Sequence, residues 1–83
     1  MQITFIRVYP KNEEKLKAFV EITFDHCFVV KHVRIVKTFR GYLVAMPGAR
    51  LGDGTHTDYA HPINREFRHE LEEAVMKAYE PFK

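Results

Sequence analysis

Lys15 to Phe24 carries the cleanest alternation in the chain: Leu16, Ala18, Val20, Ile22 and Phe24 stand at every second position, between Lys15, Lys17, Glu21 and Thr23. A period of two puts the apolar side chains on one face of an extended segment and predicts a half-buried strand. Phe19 interrupts the polar face; partial cover by a neighbouring element accounts for it, with a dimer contact as the competing reading. Residues 3–9, ITFIRVY, are rich in β-branched and aromatic side chains and predict an earlier strand. Their alternation slips between Phe5 and Ile6, which suggests a bulge or cover on both faces. Pro10 ends this strand, and Lys11 to Glu14 is a charged connection.

Asp25-His26 predicts a turn, with Cys27 opening the next strand. In residues 28–37, Phe28 and Val30 share one parity while Val33 and Ile35 share the other. That change of phase near Lys31-His32 predicts a bulge or a bend. Thr38 to Gly41 forms a turn in which Gly41 is free to take positive φ. Tyr42 to Met46 is apolar on both parities and reads as a central strand. The chain then breaks at Pro47-Gly48 and continues as an irregular arm to a hairpin-type turn signal at Asp53-Gly54. Residues 56–59 return as a short polar edge strand, and Pro62, which cannot donate to a ladder, suits an exit from the sheet.

Asn64 is a good N-cap for a helix running from about Arg65 to Tyr79. Phe67, Leu71, Ala74, Val75 and Ala78 fall on one helical face, Glu73 and Lys77 are an i,i+4 pair, and Pro81 stops the helix. The expected fold is α+β. An antiparallel sheet of four to five strands has one face covered by a single C-terminal helix, in one domain spanning residues 1–83.

A chain of 83 residues buries only about 60% of its unfolded surface, so its core is thin and self-association is the easiest supplement. The lone cysteine, Cys27, closes no internal bridge, which suits a reducing compartment. The first ten residues resemble a strand rather than a signal peptide, and no apolar run approaches the roughly 18 residues of a membrane span. The expectation is a soluble cytoplasmic protein without membrane insertion.

Net charge is only +2, too mild to imply nucleic acid by itself, but the charges are segregated. Lys31, His32, Arg34, Lys37, Arg40 and Arg50 fall in a stretch with no acid, whereas Glu66, Glu70, Glu72, Glu73 and Glu80 crowd the helix. Phosphate contacts need accessible Lys or Arg. Arg50 on the glycine-rich arm is the first candidate. Arg65 and Arg68 follow, because a positive charge in the first helical turn opposes the helix dipole and an anion bound there would relieve the conflict. Lys37 and Arg40 flank a turn and are supporting candidates; for each residue alone, a solvated surface charge is the plainer reading. Phe39, Tyr42 and Tyr59 are candidate stacking partners for single strands, with core packing the plainer role for Tyr42.

Catalysis has little to rest on. The five histidines form no H-x-x-x-H pair, the chain has no serine, and Cys27 in a strand reads as a buried small hydrophobe. His61, held extended before Pro62, suits a structural bond to nearby backbone. No enzyme activity, cofactor or metal is expected.

Val44-Ala45-Met46-Pro47, Asp53-Gly54 and the run D-x-A-H-P-I-N from Asp58 to Asn64 together resemble the SpoVG family of septation regulators (stage V sporulation protein G). Asp25-His26, Phe28-Val29-Val30 and Val33-Arg34-Ile35 extend the resemblance over nearly the whole chain. It implies a small α+β fold that dimerises through its sheet, in a non-enzymatic bacterial regulator that binds DNA and RNA and has links to septation, sporulation and gene control. After Met46-Pro47 the family commonly carries Ser and a basic pair; this chain has Gly48, Ala49 and then Arg50, the one residue that clearly matches a family basic position. Thr57 stands where an Arg is frequent. The alternative reading is a homodimer that acts on division-machinery proteins without touching nucleic acid.

Overall fold

The computed structural model spans Met1–Lys83. Alternation builds its four long strands, β1 (Ile3–Pro10), β2 (Leu16–Phe24), β3 (Phe28–Thr38) and β4 (Gly41–Ala45), which pair antiparallel in the order β1-β2-β3-β4. The even positions of β2, from Ala18 to Phe24, are buried. They meet Val33, Ile35, Val44 and Met46 from the sheet and Leu71, Val75 and Tyr79 from the helix α1 (Arg65–Tyr79) in one core. Each fully buried Val, Ile or Leu there is worth about 1.5–3 kcal/mol relative to an exposed one. The opposite face of the sheet carries no helix.

Both phase changes read from the sequence are bulges. In β3, Lys31 and His32 together oppose Glu21 alone, between the pairs Val30↔Ile22 and Val33↔Val20. The extra residue lets Val30 and Val33, of opposite parity, both face the core, and His32 takes φ 65° to allow it. In β1 the slip falls at Thr4, one residue before the expected place, between Ile3↔Phe24 and Phe5↔Thr23. The Thr4 hydroxyl fixes it by donating to the Thr23 carbonyl at 3.2 Å and accepting from the His26 N–H at 3.0 Å.

Asn64 caps α1 as expected: its side-chain oxygen accepts from the Phe67 N–H at 2.7 Å. The buried stripe is Leu71, Val75 and Tyr79, with Phe67 beside it against Phe24 at 6.1 Å. Ala74 and Ala78 are only half-buried; Tyr79, which extends the i,i+4 stripe, does more of the packing. A 3₁₀ turn, Glu80–Phe82, follows with Pro81 near its start.

Five expectations are corrected. β4 is an edge strand, not a central one, because the chain leaves the sheet at Met46 and no further strand pairs beyond it; Leu43 remains 51% exposed. The arm after Pro47 is not irregular: β5 (Gly48–Arg50) pairs with β6 (His56–Asp58) in a separate two-stranded ribbon. Cys27 is exposed in the β2–β3 turn rather than buried in a strand, since its N–H closes that turn on the Phe24 carbonyl at 3.0 Å. Glu73 pairs with His69 at 3.0 Å and not with Lys77, which lies over β1 beside Ile6. Tyr42 is at the surface, as described below.

Candidate nucleic-acid interface

Arg50 ends β5, and the ribbon that carries it is locally determined. Gly48 lies so close to the β6 backbone that a Cβ would collide with the Thr57 carbonyl oxygen and come within 2.9 Å of the Asp58 Cα. The turn closes with the Leu51 N–H donating to the Thr55 carbonyl at 2.7 Å and the Gly54 N–H to the Leu51 carbonyl at 3.0 Å. Gly54 takes φ 89°, the left-handed conformation for which glycine suits this turn. One Asp53 carboxylate oxygen accepts from the Thr55 hydroxyl at 2.7 Å and from the Thr55 N–H at 3.0 Å. The hydroxyl bond first, and the backbone bond second, hold the Asp53 carboxyl below the usual carboxylate range. Asp53 is thus engaged by the turn, His56 faces Asp58 at 3.4 Å, and Arg50 is left exposed with no carboxylate partner.

At the start of α1, Arg65 is exposed and unpaired, whereas Arg68 lies 3.8 Å from Glu72 on its own helix. The anion site expected there is reduced twice over: Asn64 already takes the Phe67 N–H, and Glu66 supplies the negative charge the dipole favours. Arg65 is the stronger of the two candidates.

Lys37 and Arg40 lie at the opposite end of β4, on either side of a turn in which Gly41 takes φ 120°. Five residues of strand separate the two ends by about 14 Å, so the five candidates do not form one patch. At this second end the cations lie over aromatic rings. The Lys37 ammonium is 4.4 Å from the centre of the Tyr42 ring and the Lys83 ammonium 4.9 Å, while the Arg40 guanidinium is 5.5 Å from the Phe39 ring. Phe39 is 96% exposed. Tyr42 rests edge-on against Tyr79 at 5.7 Å, so its ring is on the surface between two lysines and not in the core. Burial, and then the neighbouring Tyr42, push the Tyr79 phenol up, with Lys83 opposing. Lys83 was missed from sequence; its position one turn beyond Tyr79 was the available signal.

His61 serves local structure, its Nδ1 lying 3.0 Å from the Pro62 carbonyl oxygen. No three His, Cys, Asp or Glu side chains converge in a way that could hold a metal ion. No helix is long and apolar enough to cross a membrane.

A family model described as SpoVG matches residues 1–81. The chain belongs to the SpoVG family. The match takes in the Val44–Pro47 strand end, the Asp53-Gly54 turn and the Asp58–Asn64 approach to α1. Among similar proteins, one from Anaeromyxobacter sp. (strain K) is 46% identical over 80 residues, covering 96% of this chain and 79% of the relative. Another, from Clostridioides difficile (strain 630), is 46% identical and covers 95% of this chain and 87% of its own. A third, from Bdellovibrio bacteriovorus, is 44% identical over 96% of this chain and 74% of its own. All three carry the name "Putative septation protein SpoVG".

Proposed function

We propose that this SpoVG chain is a non-enzymatic regulator of septation that binds DNA or RNA as a cytoplasmic homodimer. The septation role follows the names of its relatives. The observation that carries nucleic-acid binding is the pairing of charge. Of the helix acids, Glu72 faces Arg68 and Glu73 faces His69 while Glu66 and Glu70 stay unpaired; Arg50, Arg65, Lys37 and Arg40 enter no ion pair, and three of these four cations lie off the helix that carries those acids. Unpaired cations at both ends of a strand suit phosphates spaced along a backbone. Dimerisation is supported by β4, whose outer edge leaves its backbone N–H and C=O groups unpaired in the sheet and whose Leu43 remains exposed. A second copy hydrogen-bonded there would pair those backbone groups and continue the sheet across a two-fold axis.

The test is a titration of duplex DNA, single-stranded DNA and RNA pools at two salt concentrations. Micromolar or tighter binding that weakens steeply with salt is expected. Arg50→Ala should lower affinity across all sequences and reduce the salt slope by about 1. Arg68→Ala should do less, because Glu72 already holds that charge. Absence of binding to every pool at low salt would reject the nucleic-acid reading. A second reading, a homodimer that docks division-machinery proteins, then takes its place; it is favoured by the apolar cleft between Phe28, Val30, Met46 and Phe67, with Ile63 exposed nearby.

A further inference from the structure

The sheet face opposite α1 brings an aromatic and basic row to one level. Tyr9 is paired with Phe19, Phe19 with Arg34 and Arg34 with Ala45, so one side chain from each strand shares this face. Two shallow depressions meet here and have Phe19 and His32 in common. The first extends to Tyr9, Lys11 and Lys31; the second extends past Arg34 to Pro47, Gly48 and Tyr59 at the root of the ribbon. They form one trough across the strands. Three gaps between neighbouring strands make it about 15 Å long, room for on the order of three bases.

Both ends of the trough are open aromatics, Tyr9 at 40% and Tyr59 at 74% exposure. Phe19, half-buried between them, has the Lys11 ammonium 5.7 Å from its ring centre. Lys11, Lys31 and Arg34 enter no ion pair, and Glu21 is the one acid in the lining. The bulge at Lys31-His32 locally re-aims the strand at this point, as bulges beside binding sites do.

We propose that this trough is a stacking platform for single-stranded nucleic acid. Unpaired bases lie on Tyr9, Phe19 and Tyr59, and their phosphates reach Lys11, Lys31 and Arg34. The proposal rests on the nucleic-acid reading and specifies its mode: a duplex keeps its base faces stacked and offers none to the rings. The charge of the face favours this occupant over a second copy of the chain, because an isologous contact would lay the basic patch of Lys11, Lys31 and Arg34 on the same patch of the other copy, with Glu21 the one acid to offset it.

The experiment uses the full chain and a single-stranded DNA of about 12 nucleotides, with 2-aminopurine at its centre, alongside the same sequence as a duplex. Binding should quench the 2-aminopurine emission. Tyr9→Leu and Phe19→Leu, which keep apolar bulk but remove the π face, should each weaken single-strand binding about tenfold and leave duplex binding unchanged. Tyr59→Leu, at an open position where folding is not at risk, should do the same, with circular dichroism checking the fold of all three. If the three folded variants bind single strands like the parent while Arg50→Ala weakens binding, the platform is wrong and the nucleic-acid reading stands. If they instead change the sedimentation coefficient without changing oligonucleotide affinity, a second copy covers this face and the proposal is overturned. Absence of binding by the parent chain to either probe overturns the nucleic-acid reading and the platform with it.

Discussion

Gly48 and Asp53 set how Arg50 is presented, one by having no side chain and the other by turning its carboxylate inward on Thr55. Gly48→Ala drives a methyl group into the β6 backbone, which has no flexible end to move aside. The expected cost is roughly 1–3 kcal/mol, visible as a lower midpoint in chemical denaturation and as loss of the NMR contacts between Ala49 and Thr57. Asp53 makes the ribbon acid-sensitive. Its carboxyl titrates lower in the folded ribbon than in the unfolded chain. The bonds to Thr55 therefore contribute fully above the ordinary carboxylate value, about pH 4. Their contribution is lost as the pH falls through the depressed folded value. Amide exchange at Thr55 should accelerate over that acidic window while the exchange of β2 stays protected, and Asp53→Asn should flatten the profile. A profile unchanged by the substitution would assign the acid response to another group. The roles of Asp53-Gly54 as a turn and Asn64 as a cap were legible because both are local backbone chemistry. Arg68 was legible only by type, since its pairing with Glu72 depends on rotamers that spacing does not decide.

The elements divide in the same way. The bounds of α1 followed from Asn64 and the apolar stripe, and the β3 bulge from the change of parity at Lys31-His32. The edge position of β4 did not follow, because an apolar strand has the same pattern whether its second neighbour comes from its own chain or from outside. For the same reason the sequence could name five basic candidates but not their division between two ends of β4, which required the strand order. Removing the cap by Asn64→Ala should destabilise the fold by about 1 kcal/mol in urea denaturation, and Asn64→Asp should retain most of that stability. His32→Val should be clearly destabilising in the same assay, since a β-branched residue tolerates positive φ poorly. A neutral result there would mean that the bulge has moved along β3.

At the scale of the whole molecule, the thin core and the free β4 edge make stability depend on concentration if two copies pair there. The melting temperature should then rise as protein concentration is raised. Leu43→Lys, a charge placed on that edge strand, should abolish the dependence and give a monomer by sedimentation. A melting temperature independent of concentration in the parent chain would remove the dimer from the proposed function. Nucleic-acid affinity of the Leu43→Lys monomer should fall as well, because a dimer doubles every basic surface and engages two segments of one strand together.

The β2–β3 turn has a consequence for the rate at which this protein forms. Asp25 and His26 lie at φ 51° and 57°, the left-handed pair that a type I′ hairpin turn requires, yet neither is glycine. The turn is held by the residue that leads into β1, through the Gln2 N–H on the Asp25 carboxylate and the Asp25 N–H on the Gln2 carbonyl, both at 2.9 Å. Early in folding, before β1 arrives, the longest hairpin of the sheet must close on two residues that resist its geometry. Asp25→Asn combined with His26→Gly relieves that resistance while keeping the acceptor for Gln2. Refolding should accelerate by about tenfold with little change in the unfolding rate. Stopped-flow chevrons at fixed protein concentration would show this as a shift of the folding limb alone, which would identify this hairpin as the nucleus on which the rest of the sheet condenses.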